Sequence, residues 1–117
     1  MPRPCKRRRV CALPGCPRFG PSGAAAGEPV RMGVDEFETI RLIDLEGLTQ
    51  EACAAQMEVS RATVQAIYGS ARQKLARALV EGRELLIGGG DFVLCDRPHG
   101  GCRCTRCHKF TLREETP

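Results

Sequence analysis

Apolar residues recur at helical spacing through the middle of the chain and almost nowhere before it. Val64, Ile67, Ala71, Leu75 and Ala78 follow one another at steps of three and four, with Leu79 adjoining, which predicts one long helix from Arg61 to about Glu81 with a continuous buried stripe. Ser60 stands where a hydroxyl caps that helix, and Gly82 where the chain leaves it. A shorter helix is predicted over Gln50 to Met57, capped by Thr49, with Glu51 in the first turn where the helix dipole favours an anion. Ahead of it Phe37, Ile40 and Ile43 mark one side of a first helix of about twelve residues, with Asp35 and Glu38 at capping-box spacing and Gly47 at its end. After the long helix, Leu85-Leu86-Ile87 and Phe92-Val93-Leu94 flank Gly88-Gly89-Gly90 and predict a small hairpin. The triple glycine lacks the Lys-Ser/Thr and helix of a phosphate loop.

Before Val34 the periodicity disappears. Residues 1–33 hold six of the eight prolines and five of the thirteen glycines. Within them Lys6, Arg7, Arg8 and Arg9 precede Val10-Cys11-Ala12-Leu13, the pattern of a basic arm leading into a short edge strand. Three regions result: a basic, Pro/Gly-rich arm at 1–33 with Cys5, Cys11 and Cys16, a helical unit at 34–87, and a Gly-rich and Cys/His-rich segment at 88–117.

Glu58, Val59 and Ser60 join the second and third helices as in a helix-turn-helix. Cys53, Met57, Val59, Val64 and Ile67 are apolar where the two helices must meet, and Ala54 is small where they approach closest. Glu58 occupies the turn position often given to Gly, which predicts either a left-handed backbone at some cost or a shifted turn. Charge is divided between the helices: seven acids and one base from Gly33 to Glu58, five bases and one acid from Ser60 to Arg83. At about 100° per residue, Arg61, Gln65 and Arg72 project within about 40° of one another and away from the apolar stripe. That is the geometry of a recognition helix. Arg61 is placed for guanine O6 and N7 and Gln65 for adenine; Ala62 and Ala66 are small enough for close approach, and the Ser60 and Thr63 hydroxyls suit phosphates. Arg72, Lys74 and Arg77 suit the phosphate backbone, as do Arg7, Arg8 and Arg9 on the arm, which could also enter the minor groove. Gly69 interrupts the helix at a cost of about 1 kcal/mol. Because one such unit reads a half-site, and a core this small buries little, a homodimer on double-stranded DNA is expected.

Composition narrows the class. With 117 residues, 42% of them apolar, 4% aromatic and no Trp, the chain has room for one domain built from small aliphatic groups, mainly α: a three-helix helix-turn-helix core with a small β element and Cys-rich metal-binding termini. No run approaches the roughly 20 apolar residues of a membrane helix and the start lacks a signal-peptide core, so a cytoplasmic protein is expected. Eight cysteines in a reducing compartment point to metal ligation or redox chemistry. Cys95, His99, Cys102, Cys104, Cys107 and His108 crowd into fourteen residues, and Cys104-x-x-Cys107 has the spacing of a metal knuckle. Zinc held by Cys95, Cys102, Cys104 and Cys107 is the first expectation; His99 or His108 can replace a thiolate, or one of Cys5, Cys11 and Cys16 can join, and an iron–sulfur cluster is the alternative. If the N-terminal strand pairs beside Phe92 to Leu94, Cys11 and Cys95 come near each other. Cys53 belongs to the core. No nucleophile elbow, Walker sequence or catalytic carboxylate pair is present, so no enzyme is expected.

The stretches Val34-Asp35-Glu36-Phe37-Glu38, Arg41 to Glu51, Val59 to Val64 and Ala71 to Gly82 closely resemble the prokaryotic domain-of-unknown-function 134 family, as do Met1 to Pro4, Arg8 to Val10 and the Phe19, Pro21, Gly23 spacing. Glu58 and Gly69 depart from its pattern. The resemblance implies a DNA-binding protein whose helix-turn-helix is similar to region four of sigma factors, hence a transcription-regulator-like role. The alternative is a metal- or redox-responsive protein-interaction adaptor that docks a basic partner on its acidic first helix.

Overall fold

The computed structural model describes residues 8–95. In chain order they form β1 (Arg8–Val10), β2 (Arg18–Phe19), β3 (Val30–Met32), α1 (Val34–Thr39) running on into a π-helical segment (Ile40–Leu45), α2 (Gln50–Met57), α3 (Arg61–Glu81), β4 (Leu85–Ile87) and β5 (Phe92–Leu94). The helices stand where the apolar spacing puts them. The strands at Leu85–Ile87 and Phe92–Leu94 also form where expected, but they do not pair with each other and the expected hairpin is absent. β4 is the middle strand of a three-stranded sheet, antiparallel to β2 and parallel to β3, so both its edges are taken. β5 instead pairs in parallel with β1, Arg8 opposite Phe92 and Val10 opposite Leu94. Gly90, with φ +92°, makes this departure possible; a Cβ there would lie 2.6 Å from Asp35 Oδ1 and 3.2 Å from Gly33 Cα.

Two apolar clusters hold the helices. In the first, alternation along β3 and β4 turns Val30, Met32, Leu85 and Ile87 inward against Ala71 and Ala78 of α3, with Phe37, Ile40 and Leu75 closing the sides. In the second, Leu42 meets Cys53, Ala54 and Met57 of α2 and Val64 of α3, with Ile43, Leu48 and Val59 around them. Leu42, Cys53, Met57 and Val64 are all fully buried, each large side chain contributing about 1.5–3 kcal/mol. This second cluster fixes the angle between α2 and α3. Leu79, expected to adjoin the stripe, is 75% exposed: at about 100° per residue it projects with Arg61, about 80° from the centre of the stripe.

The first helix keeps its expected length but changes hydrogen bonding halfway. The Glu46 N–H donates to the Arg41 carbonyl, five residues back, at 2.9 Å. Arg41 and Leu42, within this segment, are both buried. Its N-cap is Gly33, whose N–H donates to Glu36 Oε1 at 2.8 Å. The capping box expected from Asp35 and Glu38 is therefore displaced by two residues, because Glu38 serves the interior. Its carboxylate is fully buried, accepts from the Cys11 N–H at 3.2 Å, and binds Arg41 through Nε at 2.9 Å and Nη2 at 3.0 Å. Removing one partner of such a pair leaves an uncompensated buried charge.

Candidate nucleic-acid interface

Each cap of the helix-turn-helix forms as its residue type requires. Thr49 Oγ1 accepts from the Ala52 N–H at 3.0 Å and Ser60 Oγ from the Thr63 N–H at 3.1 Å. Between them Glu58 adopts the left-handed backbone, φ 60° and ψ 43°, in the place where Gly would be strain-free. The left-handed residue lets the Val59 N–H reach the Ala54 carbonyl at 3.0 Å and sends the chain directly into α3.

With Val64, Ile67, Ala71 and Ala78 buried, the opposite side of α3 faces water. At about 100° per residue with Arg61 at zero, the exposed residues between Arg61 and Arg77 fall in the order Arg61, Arg72, Gln65, Ala76, Gly69, Ala62, Gln73, Ala66 and Arg77 across an arc of about 160°; in the last turn the exposed Leu79 and Val80 project at about 0° and 100°. Small residues and glutamines fill its centre, and arginines stand at both rims. Gly69 sits in the middle, with no heavy atom within 4 Å of where a Cβ would be, so the fold itself has no need of glycine there.

One rim is tied to the first helix. The Tyr68 hydroxyl donates to Asp44 Oδ1 at 2.7 Å, the Arg72 guanidinium lies 5.4 Å from the Tyr68 ring centroid, and Arg72 Nε stands 3.9 Å from Asp44 Oδ2. The hydrogen bond to Asp44 raises the Tyr68 pKa. Tyr68 and Asp44 lie 24 residues apart, so no local spacing announces the pair.

Three of the basic residues expected at a polyanion are committed elsewhere. Lys74 projects on the far side of α3, its Nζ 2.8 Å from Glu36 Oε1, while Ser70 Oγ donates to Glu36 Oε2 at 2.6 Å. Burial alone would raise the Glu36 pKa, but the hydrogen bonds from Lys74, Ser70 and the Gly33 N–H bring it below the usual carboxylate range. Arg8 binds Asp91 at 3.0 Å and Arg9 binds Glu58 at 3.2 Å, both from within β1, so these two arginines are strand residues and not a free arm. The Ser60 hydroxyl also meets the Thr63 hydroxyl at 2.9 Å. Arg61, Ala62, Gln65, Ala66, Arg72 and Arg77 are exposed as expected.

Of the expected metal ligands, Cys95 is described and buried. His99, Cys102, Cys104, Cys107 and His108, with Cys5 and Arg7, lie outside the described residues. Among the described residues no three Cys, His, Asp or Glu side chains are grouped as a metal site. Cys53 is fully buried in the second cluster, with Sγ 3.7 Å from Met57 Sδ. Burial, and secondarily Glu38, push its thiol up to about 12 against the opposing charge of Arg41. No helix of the described residues is long and apolar enough to cross a membrane.

Comparison with known proteins agrees with the motifs. The family described as "Protein of unknown function DUF134" matches residues 1–95. The chain is 59% identical to a UPF0251 protein of Desulfitobacterium hafniense (strain DSM 10664 / DCB-2) over 87% of this chain and 83% of the relative. It is 49% identical to a UPF0251 protein of Halothermothrix orenii over 96% of this chain and 83% of the relative, and 47% identical to one of Caldicellulosiruptor bescii over 100% of this chain and 82% of the relative. No solved structure matches.

Proposed function

The chain belongs to the family of unknown function DUF134, and we propose that it is a DNA-binding transcriptional regulator whose α3 enters the major groove of double-stranded DNA. One observation carries the reading: between Arg61 and Arg77 the exposed arc of α3 is low at its centre, at Gly69, Ala62, Ala66 and Ala76, and bounded by Arg61, Arg72 and Arg77. A helix of that profile can seat deeply while Arg72 and Arg77, on opposite rims, meet the two phosphate strands. Arg61 and Gln65 read base edges; Arg72 and Arg77 hold the backbone. Two copies reading two half-sites complete the operator, and zinc at the thiol-rich end, or an iron–sulfur cluster in its place, acts as staple or sensor in a cytoplasmic, non-catalytic protein.

An adaptor docking through its acidic first helix is less well supported. Asp35, Glu36 and Glu38 are buried, and the latter two are bound to Lys74 and Arg41, so little of that acidity is left to meet a basic partner.

The test is binding of the full chain to DNA sites selected from a random pool. The double variant Arg61→Ala with Gln65→Ala should lose about 1–3 kcal/mol per removed base contact and its preference for the selected site, while weak, salt-sensitive binding remains. Selectivity equal to that of the parent refutes the assignment.

A further inference from the structure

The first apolar cluster is open on one side. Between the first helix, the C-terminal half of α3 and the three-stranded sheet lies a groove of about 620 Å³, lined by Met32, Phe37, Ile40, Leu75 and Ile87. Phe19 of β2 and Leu79 of α3 also line it, and they are 50% and 75% exposed. An apolar hollow edged by large exposed side chains is a surface that another apolar body covers. Its one charged lining residue is Arg83, whose Nε lies 2.7 Å from Glu81 Oε1 and whose Nη1 donates to the Glu28 carbonyl at 3.1 Å. Among the lining residues no polar side chain is therefore left to orient a small ligand, as ligand sites require. Beside the groove Arg18 pairs with Glu84 as Arg83 does with Glu81, so two bases and two acids stand there without net charge. Neither a strongly basic nor a strongly acidic partner is favoured. A copy related by a two-fold axis, in contrast, brings acids against bases and bases against acids.

We propose that this groove is the interface of a homodimer, with Phe19 and Leu79 of each copy entering the groove of the other. A two-fold contact uses the same patch on both copies, so that patch must hold both a projection and a hollow, and this one does. The proposal deepens the two-copy reading above and rests on it for its use on DNA. Leu79 follows Gly69 by ten residues, about 15 Å along the helix, and projects about 80° from the centre of the exposed arc. Contact through it leaves Arg61 to Arg77 open to a duplex. The thirteen lining residues are about half of the 20–30 that a standard half-interface of about 800 Å² uses. About 400 Å² a side places the contact in the weak, transient class, with a dissociation constant on the order of 10–100 µM that a palindromic site reinforces.

The test is sedimentation equilibrium of the full chain, kept reduced, from about 5 to 500 µM. The parent should exchange between monomer and dimer; a parent that stays monomeric at about 500 µM overturns the proposal. Leu79→Gln adds no charge and sits at an exposed helix position, so it should keep the urea midpoint of the parent and weaken association at least about tenfold, because each dimer loses two apolar side chains. Phe19→Ser should act in the same direction. Val80→Gln, at a residue 84% exposed but about 100° round the helix from Leu79, should leave association unchanged. A dimer as strong in Leu79→Gln and Phe19→Ser as in the parent overturns the proposal, as does a small apolar molecule found by native mass spectrometry on the monomer in the dimer's place. On a selected DNA site the parent should bind two copies cooperatively, and Leu79→Gln should bind without cooperativity. Equal cooperativity in the two overturns the interface while the DNA reading stands; a parent that dimerises through Leu79 but retains no DNA upholds the interface and refutes the DNA reading.

Discussion

Replacing Gly69 by Ala separates the stability of α3 from its use. The residue stands in the interior of a helix spanning Arg61–Glu81, so its full helix-propensity deficit applies, about 1 kcal/mol relative to Ala. A methyl group there meets no heavy atom within 4 Å, and the backbone is not left-handed, so nothing in the chain opposes the change. The variant should gain about 0.5–1 kcal/mol in urea unfolding, with the midpoint displaced and the denaturant slope unchanged. Binding should move the other way. Gly69 lies at the centre of the exposed arc, between the rims, and an added methyl holds the helix off the groove floor. A loss of at least about 1 kcal/mol, roughly fivefold in Kd for a selected site, is expected by fluorescence anisotropy. A stability gain with unchanged Kd would refute the claim that the centre of this arc touches DNA. A stability loss would show that something occupies the space beside Gly69.

Asp44→Asn removes the carboxylate beside Arg72 and should tighten non-specific DNA binding while steepening its salt dependence by up to about one phosphate contact; an unchanged salt slope means that Arg72 does not reach the backbone. Glu38→Ala removes the bidentate carboxylate of buried Arg41, leaving Glu46 Oε2 3.7 Å from Nη1, together with the acceptor of the Cys11 N–H, and should cost about 3–5 kcal/mol in chemical denaturation, with a cost under about 1 kcal/mol refuting the burial argument. Cys53, raised in the folded state to about 12 from an ordinary value near 9.0, stays a thiol while the unfolded chain ionises, so its contribution is whole below pH 9 and is lost as pH rises towards 12. Alkylation at pH 8 should leave Cys53 unmodified while Cys16 reacts; modification of Cys53 at the rate of Cys16 would refute its enclosure. Glu36 has the opposite sign: depressed in the fold, it stabilises above its ordinary value of 4.5 and that support is lost as pH falls, visible as an acid-side loss of stability that Lys74→Met abolishes.

What the sequence determined by itself is local. The α2–turn–α3 unit, its Thr49 and Ser60 caps and the buried positions Val64, Ile67, Ala71 and Ala78 each depend on residues within a few positions of one another, and all are formed, while of the two turn geometries open to Glu58 the fold takes the left-handed one. The family was legible for the same reason, through contiguous stretches now matched across residues 1–95. Tertiary structure decided what depends on partners far along the chain. β2 and β3 are too short for alternation to announce them amid prolines and glycines, and β5 chose β1, more than eighty residues away, because β4 had no open edge. Charge followed suit: Arg8, Arg9 and Lys74 look as basic as Arg61 in the sequence, yet Asp91, Glu58 and Glu36 hold them, whereas the arginines left on the outer arc are Arg61, Arg72 and Arg77. A helix encodes its own faces through its period, but which charges are neutralised, and which cysteines become neighbours, is settled only when distant segments close onto the same core.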